Sequence, residues 1–141
     1  MARIDIELPE KFIYSTSVYI RKNDVTEGIH VAFDTMWNLV REAHHNFLVD
    51  VGFTLTDING TGLVFTNGLI VYQSEVSAGD TLLYEIALDN FTEKSCEYFF
   101  KISQKDSKKP VAKVRITILF FDYKTKKACA VPKEFIELSK K

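Results

Sequence analysis

One stretch constrains this chain more than any other: over residues 32–51, apolar side chains recur at helical spacing and cover more than half the girth of a helix. Ala32, Met36, Leu39, Val40, Ala43, Phe47 and Val51 form the stripe, and Phe33, Trp37 and Leu48 widen it sideways. Gly52 follows, a residue suited to the positive φ on which helices often end. A helix with so broad an apolar face must be covered by other elements, and the rest of the chain reads mainly as strands.

Residues 12–21 alternate, placing Phe12, Tyr14, Thr16, Val18 and Ile20 on one face. After a loop through Asp57, Asn59 and Gly60, strand-like runs occupy 62–76, 80–91, 94–104 and 111–123, divided by short turn-forming segments. Short connections make antiparallel neighbours. Pro132 opens a last segment, 133–138, that suits one or two helical turns. The sum is an α+β plan with about five antiparallel strands wrapped around one long central helix. The 141 residues suit a single such domain, 1–141. Because an open sheet keeps free edges, association into a dimer, or a tetramer of paired dimers, is expected.

Eighteen basic residues stand against nineteen acidic ones, a net charge of -1, so no global field draws the chain to nucleic acid or anionic membrane. Residues 1–10 hold no apolar run of the signal-peptide kind, and no later run is long enough to cross a bilayer. Cys96 and Cys129 stand apart, without the spacing of a zinc site or a disulfide framework, and a cytoplasmic location fits. His44 and His45 point about 100° apart on a helix and cannot together hold one metal ion.

Three segments in register carry a resemblance to a known family. They are the loop at 20–31 (IRKNDVTEGIHV), the helix centre Arg41-Glu42-Ala43-His44, and the stretch at 72–82 (YQSEVSAGDTL). In order and spacing they resemble the 4-hydroxybenzoyl-CoA-thioesterase-like enzymes of the hot-dog fold, with an Asp-x-Asp-x-x-Gly-His-Val-like loop, a Glu-Ala-Arg-like helix centre and a Tyr followed by a Gly-Asp-x-Leu turn. The resemblance implies hydrolysis of an acyl-CoA, or acyl carrier protein, thioester to free acid and thiol. Coenzyme A then enters as part of the substrate, and no separate cofactor or metal is implied. There are departures: Thr26 stands where the family's second loop Asp does the chemistry, and His44 replaces the Arg. Ala32 and Phe33 replace a common Asn pair. The loop is closer to an Asp-Ile-Asn-x-Gly-x-His-x-x-x-Asp pattern, which aligns Asp24, His30 and Asp34.

Thioester hydrolysis requires a base or nucleophile and donors for the oxyanion, and the unpaired first amides of a helix supply such donors. The expected catalytic group is therefore His30, Asp34 and Asp24, beside a substrate-binding set of Thr26, Gly28, Ile29, Tyr72 and Ser74. If the helix begins by Ile29, His30 and Asp34 share one face, four residues apart. A first-turn Asp can equally well serve only the helix dipole, and Asp24 can serve only as a turn residue. A hydratase acting on enoyl thioesters shares this fold, but its motif is absent. The non-enzymatic alternative is an acyl-thioester-binding hot-dog module, which Thr26 leaves open.

Overall fold

The long helix forms as the periodicity predicts. In the computed structural model, which describes residues 4–26 and 30–140, helix α1 runs Phe33–Asp50 and buries Met36, Leu39, Val40, Ala43, His44, Phe47 and Leu48. Gly52, at φ +87°, turns the chain out of it. The strands follow in the expected order: β1 (Tyr14–Tyr19) before the helix, then β4 (Gly62–Tyr72), β5 (Thr81–Asp89), β6 (Ser95–Gln104) and β7 (Pro110–Asp122). Short helix α2 occupies Lys133–Leu138. Three two-residue strands escaped the sequence reading: β2 (Val25–Thr26), β3 (His30–Val31) and β8 (Lys127–Ala128).

All pairings are antiparallel, in the order β1-β5-β6-β7-β4 with β8 added to β7, which makes six strands where about five were expected. Alternation puts Tyr84, Ile86, Tyr98, Phe100, Val114, Ile118 and Phe120 on the face that shares one core with α1, each fully buried. Each such aromatic or branched side chain contributes roughly 1.5–3 kcal/mol on burial. The amino end of the sheet grips the helix directly: Tyr14 OH donates to Asp50, Asn46 Nδ2 donates to Thr16 Oγ1 at 3.2 Å, and the Tyr14 and Phe47 rings lie 5.3 Å apart.

The sheet's outer face has its own cover. Ile6, 1% exposed, packs with Ala87 and Phe99, while Leu8 and Phe12 join Leu69 and Val71 around them. Lys113 Nζ fixes this segment by donating to Asp5 and to the Ile6 carbonyl, both at 3.2 Å. Phe99, 5% exposed on this outer face, is thus covered by residues 6–12.

One polar pair lies inside the core. His44 Nε2 and Tyr98 OH share a hydrogen bond of 2.8 Å, with the two rings 4.7 Å apart, and the Phe65 ring stands 5.2 Å from the imidazole. Burial pushes the imidazole pKa down to about 4, helped by the neighbouring His45. The unfolded ring takes up its proton near 6.5 and the folded ring near 4, so between those values the unfolded state binds more protons. The stability that depends on a neutral His44 is complete above pH ~6.5 and is lost as pH falls towards 4. Urea denaturation at neutral pH and at pH ~4.5 is expected to show a loss of roughly 2–3 kcal/mol from this group. The double variant His44→Leu, Tyr98→Phe should lose correspondingly less on acidification; an equal loss would place the titrating group elsewhere.

Candidate active site

The chain enters α1 through two tight turns. After β1, residues Lys22–Asp24 form one turn of 3-10 helix, closed by the Asp24 carboxylate. Its Oδ2 accepts from the Arg21 backbone N–H at 2.9 Å and from Arg21 Nε at 3.2 Å, and its Oδ1 accepts from Arg21 Nη2 at 3.2 Å. These bonds from Arg21 hold the carboxyl below the usual Asp range, and Asp24 is only 6% exposed. The β2–β3 hairpin follows, pairing Val25 with Val31 and Thr26 with His30. His30 therefore belongs to a strand and not to the helix. The four-residue helical relation to Asp34 does not hold, because the hairpin keeps the backbone extended until Ala32. Gly28 and Ile29 lie outside the described residues, as do the side chains of Thr26 and His30.

Ala32 is the N-cap of α1 and offers no side-chain acceptor, so the first-turn amides point out of the helix without a side-chain cap. Beside them opens a cleft of about 510 Å³, walled by Val31, Phe33 and Met36 on one side and by Tyr72, Gln73, Ser74, Glu75 and Val76 on the other. Asp34, exposed in the first turn, raises the Tyr72 phenol pKa together with the larger effect of burial. The Phe33 and Tyr72 rings meet across the mouth with centroids 6.2 Å apart. Beneath, the buried Tyr84 hydroxyl donates to Met36 Sδ at 3.7 Å. Burial pushes that phenol far up, so it stays neutral.

The second wall is fixed by the motif at 72–82. Gln73 N–H and Ser74 N–H both donate to the Val111 carbonyl, at 2.8 and 3.2 Å, and Ser74 Oγ donates to Pro110 O at 2.6 Å. The Ser74 hydroxyl is thus engaged in holding the strand end while it lines the cleft. Gly79 takes φ +93° and donates to Ile20 O at 2.8 Å, while Asp80 accepts from Ser77 N–H and Gln104 Nε2. This turn is bonded to the end of β1, just before the Asp24 turn. The loop, helix entry and second wall are therefore held as one unit.

Of the expected site residues, Tyr72 and Ser74 line the cleft and Asp34 lies in the first turn of the same helix end, whereas Asp24 is committed to Arg21. Phe33, Met36, Val31 and Val76 were missed as lining residues. Phe33 was read with the core stripe, yet it is 58% exposed at the cleft. Asn38, Arg41, Glu42 and His45 form an exposed polar face of α1. Among the described residues, no group of three or more His, Cys, Asp and Glu side chains could hold a metal ion. No described helix is long and apolar enough to cross a membrane.

The family model of the thioesterase-like superfamily matches residues 20–138, which span the helix entry, the cleft and every strand of the sheet except β1. The chain belongs to the thioesterase-like superfamily. No curated protein matches its sequence. Among solved structures, it is similar to a 1,4-dihydroxy-2-naphthoyl-CoA thioesterase from Synechocystis, with TM-score 0.80, 16% identity, and 89% of this chain and 94% of the other covered. It is also similar to YbaW, a probable thioesterase from Escherichia coli, with TM-score 0.77, 24% identity and coverage of 88% and 94%. A Staphylococcus aureus protein in complex with CoA gives TM-score 0.79, 14% identity and coverage of 95% and 85%. These likenesses show that the thioesterase-like chain has the hot-dog fold.

The bonds from Arg21 give Asp24 a measurable share in the stability of the turn. Asp24→Ala removes both side-chain acceptors of the turn and is expected to lower stability by about 1 kcal/mol in urea denaturation. Asp24→Asn keeps one acceptor and should cost less. A well-folded Asp24→Asn protein of unchanged stability but without thioester turnover would instead make this carboxylate the base.

Proposed function

We propose that the chain hydrolyses acyl-CoA thioesters, with the thioester carbonyl at the amino end of α1 and the acyl group in the adjoining cleft. The observation that carries this reading is an apolar cleft opening on helix amides that no side chain caps. An oxyanion forming on the carbonyl oxygen meets partial positive charge and N–H donors there without any reorganisation of the protein. Asp34 supplies a carboxylate at the same helix end, and His30 stands four residues before it in the chain, in β3. We assign these two to activating water, and Asp24 to holding the turn. Coenzyme A is then part of the substrate and no cofactor takes part.

Release of free thiol from a panel of acyl-CoA and acyl carrier protein thioesters tests the activity directly. Asp34→Asn and His30→Ala are expected to fold normally and to lower kcat by about a hundred-fold or more, the loss typical of a removed general base. Unchanged turnover in both would remove them from the mechanism. Thr26, where the family's catalytic Asp is usual, favours one rival, a module that binds acyl thioesters without cleaving them. Tight binding of the panel with no thiol release would establish that reading instead.

The proposal includes a dimer. Among the described residues β4 pairs only with β7, and its other edge leaves Phe65, Thr66, Asn67 and Gly68 exposed, with no Pro and no charged residue anywhere in the strand. Nothing in β4 discourages pairing with a second copy. Since Tyr72 ends this strand, such pairing sets the cleft beside the subunit boundary. Light scattering at micromolar concentration should give a mass twice 16.2 kDa or a multiple of that dimer; a stable monomer would exclude it.

A further inference from the structure

Gly68 lies inside β4, where glycine weakens a strand, and its φ is not in the left-handed region that would require it. Space explains it. A Cβ at position 68 would come within 2.6 Å of Trp37 Cη2 and 3.2 Å of Cζ3, so the indole lies directly on the bare backbone of the strand. From there the aromatic contacts run towards the cleft: the Trp37 and Phe33 rings meet edge to face with centroids 6.1 Å apart, and Phe33 meets Tyr72. The large cleft lies on the Tyr72 side of this row. On the Gly68 side is a second cavity of about 250 Å³, lined by Trp37 with Phe65 and Ile116. Both cavities lie along the same seam between α1 and β4, and the paired rings stand between them.

We infer that Phe33 and Trp37 form a partition that sets the length of acyl group the cleft accepts, with Gly68 making room for the indole. This rests on the thioesterase reading. With the partition in place, a growing acyl chain fills the space beside Val31, Met36 and Val76 and then meets the ring pair. Removing the indole joins the two cavities and lets the chain continue along the seam. Gly68 is the positioning residue: a side chain there displaces Trp37 and so changes the wall without touching substrate.

The test is kcat/KM for saturated straight-chain acyl-CoAs from butyryl to palmitoyl, measured on the wild-type chain and on Trp37→Ala. The ratio of long-chain to short-chain kcat/KM is expected to rise by about ten-fold or more, the discrimination that one or two methylenes carry in an apolar pocket. Trp37→Phe, which keeps a ring against Phe33, should give a smaller rise and serves if the alanine variant does not fold. A folded variant that turns over the panel with an unchanged chain-length profile overturns the partition. Trp37 is the only tryptophan of the chain, so its emission gives a second readout that needs no turnover. On titration with a non-hydrolysable acyl-CoA thioether, the emission should shift, and shift more for a long acyl group than for coenzyme A alone. If the wild type cleaves no acyl-CoA, the thioesterase reading fails and the emission still decides: a shift that depends on acyl length supports the partition, and no shift overturns it.

Discussion

The structure depends on burying one helix against one sheet. An 18-residue helix with seven buried side chains has no second helix of comparable size to pack on, so the sheet must supply almost all of its cover. That requirement puts large side chains such as Tyr84, Tyr98, Phe100 and Phe120 on the inner face and leaves them fully buried. It also accounts for the polar groups found there. Tyr98 fills the space under the middle of the helix but brings a hydroxyl, and His44 supplies its partner; two neutral groups joined by one hydrogen bond avoid the cost of an unpaired buried donor.

The same constraint makes the amino end of α1 the chemically open part of the fold. The body of the helix is packed against strands, while its first turn, with Met36 still buried against Tyr84, borders the cleft whose other wall follows the end of β4. Free amides, a first-turn carboxylate and an apolar cleft thus meet in one place. The Asp24 turn and the Gly79-Asp80 turn both tie back to the end of β1, and so hold the two walls of that cleft at a fixed distance.

What the sequence disclosed follows how strongly each element imprints a period. α1 and the five long strands each span enough residues for a repeat of burial to show, and α2 had Pro132 to mark its start. Strands of two residues carry no period, so the β2–β3 hairpin was invisible, and with it the fact that His30 precedes the helix. Ile6 and Leu8 stand singly among charges and form no apolar run; only the apolar outer face formed by Ala87 and Phe99 shows why they are apolar. For the site, the family-like motifs led to Tyr72 and Ser74, which line the cleft, and to Asp34 in the first turn of α1, but they carry no sign of the bonds that Asp24 makes to Arg21. A lone Asp between strand and loop looks the same whether it caps a turn or acts as a base, and only the three bonds from Arg21 distinguish these roles. Phe33 misled for a related reason, since helical spacing cannot show that its ring, between Trp37 and Tyr72, keeps one side open at the cleft.

The central claim is that an acyl thioester binds with its carbonyl at the amino end of α1. Amide hydrogen exchange, with and without a non-hydrolysable acyl-CoA thioether, tests this most directly because it maps binding whether or not turnover occurs. Slowed exchange confined to residues 31–36 and 72–76, with α2 and β8 unchanged, is the result the structure leads us to expect. Protection centred elsewhere, or none at saturating ligand, would contradict it.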